Sequence, residues 1–189
     1  MNRTNRTNRL PTAGLIGAAV MLVLDQLVKW LVVGPLGLAQ MGDERELLPI
    51  FRLVNVHNPG VSLGFLRVDP DKSWMLVVLT GAIALAVLVW LWRERNRTDQ
   101  IALGMILGGA VGNIVDRLRL DYVQDYADLH LRVAGGDWSP FLTFNLADVA
   151  ITVGVLILLA RAGEVLTWVT RIRDVLGRLG SYLSSNNES

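Results

Sequence analysis

The stretch IALGMILGGAVGNIVDRL, residues 101–118, is apolar along most of its length and turns polar only at its end. A helix needs about 20 residues to cross roughly 30 Å of hydrocarbon, so this run reads as a membrane span. Gly104, Gly108 and Gly112 recur every four residues and line one helical face, a groove that lets another helix approach closely. Asn113, Asp116 and Arg117 follow at i, i+3 and i+4. They share one face at the end of the span, where three polar groups together point to a network rather than to a wetted helix end.

Three more runs of this kind flank it. Ala13–Val33 carries Asp25 and Lys29, Trp74–Trp92 carries no charge, and the fourth starts near Leu146 with Asp148 at its entrance and is apolar from Val149 to Ala160. The composition agrees, with 52% hydrophobic and 19% charged residues. Soluble domains hold about 25% charged residues. A net charge of +1 gives no field able to hold nucleic acid. The absence of cysteine excludes disulfides, thiolate catalysis, iron–sulfur clusters and cysteine zinc sites. With only His57 and His130 present, a histidine metal centre has too few ligands, and no cofactor is expected. Catalysis then falls to carboxylates, serines or lysines.

Arginines orient the chain. Arg3, Arg6 and Arg9 precede the first run, Arg93, Arg95 and Arg97 fill the link after the second, and Arg161, Arg171, Arg173 and Arg178 follow the fourth. The positive-inside rule puts both termini and the 93–99 link in the cytoplasm, and residues 35–73 and 119–145 outside. The first run is too long for a signal-peptide core, is charged and lacks an A-x-A site, so it reads as a permanent anchor. Residues 1–12, with the repeat NRTNRTNR, and residues 163–189, ending in SSNNES, read as disordered tails. Within the second, 164–180 has the spacing of a helix lying on the inner surface. Phe51–Asn58 alternates, with Phe51, Leu53, Asn55 and His57 on one face, and Asn58-Pro59-Gly60 supplies a turn. Tyr122–Tyr126 and Phe141–Phe144 are expected to add strands. The fold class is a mainly α membrane protein, four transmembrane helices with a small extracytoplasmic β-sheet.

Charges within a membrane are costly and need partners. Asp25 and Lys29 lie four apart and share a helical face, either as a salt bridge to neighbouring helices or as support for a nearby site. Asp125 in the outer loop and Asp148, three residues after Asn145, approach the same level. Singly they read as a loop acid and as an acid favoured by a helix N-terminus. Together they offer an aspartic dyad, two carboxylates sharing a proton, one polarising a water while the other protonates a carbonyl. Gly60-Val61-Ser62-Leu63-Gly64 matches G-x-S-x-G, with Ser62, Asp125 and His130 in hydrolase order. That elbow needs a strand–turn–helix in a large α/β sheet, for which the chain has no alternation.

Five blocks occur in order over roughly residues 13–162: Asp25-Gln26-x-x-Lys29, Asn58-Pro59-Gly60, Gly108-Gly109-Ala110-Val111-Gly112-Asn113-x-x-Asp116-Arg117, Val123-x-Asp125 and Phe144-Asn145-x-Ala147-Asp148. In these the chain resembles the bacterial lipoprotein signal peptidases (signal peptidase II). The resemblance implies an intramembrane aspartyl endopeptidase of the bacterial cytoplasmic (inner) membrane, with a β-cradle and an active site at the outer face. It implies removal of signal peptides from diacylglyceryl-modified prolipoproteins by a cut just before the lipidated cysteine. It also implies Asp125 and Asp148 as the catalytic pair, and Asp25, Lys29, Asn58, Gly60, Asn113, Asp116, Arg117 and Asn145 as supporting or substrate-binding residues. Membrane lipid as a partner and globomycin as an inhibitor follow from the same resemblance; a metal does not. The chain departs from the pattern at Asp121, where a glycine is usual, and at Val61-Ser62-Leu63, where a small residue and phenylalanine are usual. Asp128 adds an acid close to Asp125.

On this reading a signal peptide enters laterally and lies against the glycine-rich third helix, and the 51–66 loop closes over it. Arg117 either holds a carboxylate or meets a lipid headgroup. The rival functions are a small proton-coupled transporter using Asp25, Asp116 and Asp148 as a relay, and a scaffold whose charges only join helices.

Overall fold

Helix α3 (Arg97–Leu120) is the element around which the others are arranged. The side chain of Asn96 caps it by accepting from the N–H groups of Thr98 and Asp99, and Asp99 in the first turn complements the helix dipole. It ends at Asp121 with φ 66°, the left-handed conformation that glycine takes freely and aspartate tolerates. This accounts for an aspartate standing where a glycine is usual. In this computed structural model, which describes residues 10–60, 73–133 and 136–163, 61% of the α3 span is buried, against 17% of each other helix. The expected tails, apart from Leu10–Thr12 and Gly163, the 164–180 surface helix and the 61–66 part of the loop lie outside the described residues.

Helices α1 (Thr12–Val33), α2 (Ser73–Arg93) and α4 (Leu146–Gly163) pack on α3, and all four are long and apolar enough to cross a membrane. The glycine stripe of α3 is the seat of α1. A Cβ on Gly108 would lie 2.5 Å from the Ala18 carbonyl oxygen, one on Gly112 would lie 2.6 Å from Asp25 Oδ2, and one on Gly104 would run into the Gly14 carbonyl. α1 fills this stripe, so a peptide lying against the third helix has to use another of its faces. Gly109, one residue round the helix, meets α4 at Ala147, where a Cβ would lie 2.5 Å from the carbonyl oxygen. α2 packs through ordinary side chains, Ala84 and Leu91 against Leu103 and Leu107. At the other end of the bundle the Arg161 guanidinium of α4 binds the Asp99 carboxylate.

The segments between the helices form an antiparallel sheet in the order β1 (Glu44–Leu48), β2 (Phe51–Asn58), β3 (Val123–Leu129). β2 has the bounds that its alternation predicts, and Leu53 and Asn55 are its buried residues. A bulge between Leu53 and Val56 breaks the pairing with β3. β3 starts one residue after the predicted Tyr122 and runs three past Tyr126. Phe141–Phe144 makes no strand: Phe144 contributes a single bridge to Ala127. β1, exposed along its whole length, and the hairpin β4 (Leu131–Val133) with β5 (Gly136–Trp138) were not legible as strands. The sheet rests on the helix ends through Val32, Leu38, Leu53, Tyr126 and Ala127.

One buried ammonium joins the layers. Lys29 Nζ lies 2.8 Å from Asp25 Oδ2 and 2.6 Å from Asp116 Oδ2, with all three side chains almost inaccessible. Asp25 Oδ1 accepts from the Ala147 N–H in the first turn of α4, and Asp116 Oδ2 accepts from the Gln124 N–H of β3. Gln26 Nε2 donates to Asp116 Oδ1 at 2.9 Å. The sequence reading of Asp25–Lys29 as a structural bridge holds, with Asp116 as its third member.

Two stability predictions follow from this packing. Lys29→Met leaves two carboxylates buried without their cation and is expected to cost about 3–5 kcal/mol. Thermal unfolding in detergent, followed by tryptophan fluorescence, checks it; an unchanged midpoint would refute the role given to Lys29. Gly104→Val, which drives a side chain into the α1 backbone, should lower the midpoint as well. Gly81→Ala on α2, where no described residue lies within 4 Å, should leave it unchanged or raise it slightly.

Candidate active site

The site grows out of the way α4 begins. The first N–H groups of any helix lack intrahelical partners and must find acceptors elsewhere. Here the Leu146 N–H donates to the Tyr126 hydroxyl oxygen at 3.1 Å, the Ala147 N–H to Asp25 Oδ1 at 3.0 Å, and the Asp148 N–H to Asn145 Oδ1 at 2.9 Å. The Asn145 N–H in turn donates to Asp148 Oδ2 at 3.3 Å. Asn145 and Asp148 thus form a reciprocal capping pair three residues apart, with aspartate in the place glutamate usually takes.

Capping uses the oxygen of the Asn145 amide and leaves its NH2 group free to point elsewhere. Nδ2 donates to Asp125 Oδ1 at 2.7 Å and to Asn113 Oδ1 at 3.2 Å. Asn113 Nδ2 donates to Asp148 Oδ1 at 2.9 Å, so the two asparagines link the two carboxylates. Asn58 Nδ2 donates to the second oxygen of Asp125 at 2.8 Å. Asp125 is almost inaccessible. Burial first, and the Asp148 carboxylate second, push Asp125 up to about 7 from an ordinary 3.8, against the opposing pull of the two amides and of Lys29. A carboxyl that holds its proton near neutrality beside another carboxylate is equipped for acid–base work.

The remaining candidates surround this pair in two groups. Asn58 Oδ1 accepts from the Gly60 N–H at 3.0 Å, which shapes the turn and fixes the amide toward Asp125. Arg117 is buried and donates to the Gly60 carbonyl oxygen at 2.8 Å and to the Asn113 carbonyl oxygen at 3.4 Å. It therefore grips two backbone carbonyls, while its charge lies within reach of Asp148, Asp125 and Asp116. Asp25, Lys29 and Asp116 form the ion cluster, joined to the pair through the first turn of α4, β3 and a 3.5 Å contact from Lys29 Nζ to Asn113 Oδ1. All ten predicted residues thus belong to one connected network.

Asp128 stands apart from it. It lies three residues along β3 from Asp125, so its side chain leaves the other face of the strand. There Arg52 Nε binds it at 2.6 Å and Arg52 also reaches Glu44, a charge row across the three strands. Ser62 of the G-x-S-x-G match lies outside the described residues, and His130 is a buried residue whose backbone N–H bonds to the Ile50 carbonyl. Sequence reasoning missed Tyr126, the acceptor for the first N–H of α4, and gave Gln26 no role. Gln26 stood beside Asp25 in a quoted block, on the helical face toward α3; nothing in the sequence singled out Tyr126.

Comparison with known proteins bears on this network. Residues 17–162 match the family Signal peptidase (SPase) II. A lipoprotein signal peptidase of Rhizorhabdus wittichii is 51% identical over 146 residues, covering 77% of this chain and 82% of that one. That of Sphingopyxis alaskensis is 51% identical over 150 residues, covering 79% and 84%. Among solved structures, a bacterial membrane enzyme obtained by the in meso method at 2.3 Å shares the fold with a TM-score of 0.67 at 22% identity, over 81% of this chain and 88% of that one. The family match spans all four helices and both strands that carry the carboxylate network, and the chain is accordingly a membrane protease of the signal peptidase II family.

Proposed function

We propose that the protein is an aspartyl endopeptidase that removes signal peptides from diacylglyceryl-modified prolipoproteins, cutting just before the lipidated cysteine with Asp125, Asp148 and a water. The observation that carries the reading is the pair of asparagines, Asn113 and Asn145, that link the Asp125 and Asp148 carboxylates while Asn58 holds the far oxygen of Asp125. The lipoprotein substrate is taken from the names of the relatives.

The chemistry uses only groups of this chain and water. The ionised carboxylate of the pair takes a proton from the water as the water oxygen attacks the scissile carbonyl. The protonated one donates to the carbonyl oxygen, giving a neutral tetrahedral intermediate. Collapse breaks the C–N bond while a proton passes to the departing amine. Asn58, Asn113 and Asn145 fix both carboxylates in position, and Arg117 holds the Gly60 turn on which Asn58 depends. The site sits where α4 begins, at the level of the sheet. By the arginine distribution that level is the outer face of the bacterial inner membrane, with both termini cytoplasmic. A transporter would need Asp25 and Asp116 on an ion path, whereas both are bound to Lys29.

The experiment is cleavage of a diacylglyceryl-modified precursor by purified protein in lipid. Asp125→Asn and Asp148→Asn keep shape and remove the acid, so each should lose about 10²-fold or more in kcat while remaining folded. Globomycin should block the wild type. Full activity in either variant would sink the dyad, and a wild type that cuts nothing would revive the transporter. The pH profile is a separate test. Asp125 keeps its proton below about 7 and loses it above, so kcat should fall on the alkaline side with a limb near 7. Rates level from pH 6 to 9 would show that the proton on Asp125 is not used.

A further inference from the structure

A groove of about 520 Å³ opens beside Asp148, within the usual range of about 300–1,000 Å³ for ligand sites. One wall is α4 at Val149, Thr152 and Val153; the other is the strand-less segment 140–144, with Phe141 and Leu142 foremost. Phe141 and Leu142 are 61% and 58% exposed. Asp148 is the only ionisable group among the described lining residues, and it stands at the end from which α4 descends into the bilayer. From Asp148 to Val153 the helix descends about 7–8 Å at 1.5 Å per residue. Below, the same helix is exposed at Val155, Leu156 and Leu159, so the groove is continuous with the lipid-facing side of the bundle.

We infer that this groove seats an acyl chain of the lipidated cysteine, an inference that rests on the peptidase reading above. The chains of that cysteine hang from the residue that follows the scissile bond. A seat for them has to begin at the proposed dyad and lead into hydrocarbon, and this groove does both. An acyl chain already lies in lipid, so its gain here is close packing rather than transfer from water. The seat fixes the depth and orientation of the scissile bond, where small misplacement is expensive. Thr152 adds a hydroxyl to the α4 wall between Val149 and Val153.

The test uses a lipidated precursor peptide whose acyl chain carries a diazirine near its ester end, photolysed in vesicles with the full-length Asp125→Asn protein. Labelling should concentrate on residues 140–144 and 149–153. Labelling confined to α1 or α2 overturns the inference, as does equal labelling of the groove by a diazirine phospholipid in the presence of the precursor. Kinetics give an independent arm with palmitoyl and butanoyl precursors. Val153→Trp, and separately Phe141→Gln, should slow cleavage of the palmitoyl precursor about tenfold and leave the butanoyl one within about twofold. Both positions are exposed, and unfolding midpoints confirm that the variants fold. Variants that cut both precursors as the wild type does overturn the acyl seat alone. A wild type that cuts neither overturns the peptidase reading and the seat with it.

Discussion

A single ammonium group buried between two carboxylates sets how α1, α3, β3 and the start of α4 meet at the sheet end of this molecule. Lys29 has no water to fall back on, so Asp25 and Asp116 must both approach it, and that fixes α1 against α3 in register and rotation. The glycine stripe makes the approach sterically feasible: a Cβ at Gly112 would occupy the space that Asp25 needs. Because each carboxylate has a second lone-pair direction, each carries the constraint one step further. Asp25 takes the Ala147 N–H and so sets the start of α4, while Asp116 takes the Gln124 N–H and so sets β3. Asp125 follows Gln124 directly and Asp148 follows Ala147 directly. The positions of both proposed catalytic groups are thus one residue removed from the ion cluster.

The same economy appears in the asparagines. An asparagine side chain offers an acceptor and two donors, and Asn145 uses them for different tasks. Its oxygen caps the helix, and its NH2 group bridges Asp125 and Asn113. Aspartate in its place would keep the cap and lose the donors, setting a third negative charge beside two others. The bond that starts the helix and the bond that orients a carboxylate therefore belong to one rigid amide.

How much of this could be read from the sequence divides along physical lines. The four spans, the glycine seam and the strand Phe51–Asn58 depend on periodicity, which is local, and they were legible with nearly correct ends. The residues of the site were legible as motif positions, but their roles were not. Arg117 gripping backbone carbonyls, Tyr126 receiving an N–H and Asp116 joining the Lys29 cluster are all contacts across more than 50 residues of chain or between separate elements, except for Arg117 with Asn113 on its own helix. β1 escaped notice because Glu44, Arg45 and Glu46 give an edge strand no apolar alternation to detect; it joins the sheet by pairing with β2. The seam itself is ambiguous in one respect. Glycine spacing announces a close helix neighbour without saying whether it is substrate or another part of the chain, and here it is α1.

The combination of strand and helix end at the site answers a constraint that four helices cannot meet by themselves. A scissile peptide must be extended to be attacked, yet an extended backbone in hydrocarbon leaves its N–H and C=O groups without partners. The reaction therefore has to occur where the hydrocarbon ends and other polar groups are within reach. A sheet laid over the helix ends supplies such groups, and it also roofs Asp125 away from bulk water, which keeps its proton in place near neutrality. Had both carboxylates stood on transmembrane helices, each would have needed its own buried counter-charge. With Asp125 on β3 and Asp148 in the first turn of α4, amides and a helix N-terminus supply the partners. The buried ammonium of Lys29 then remains committed to holding the frame.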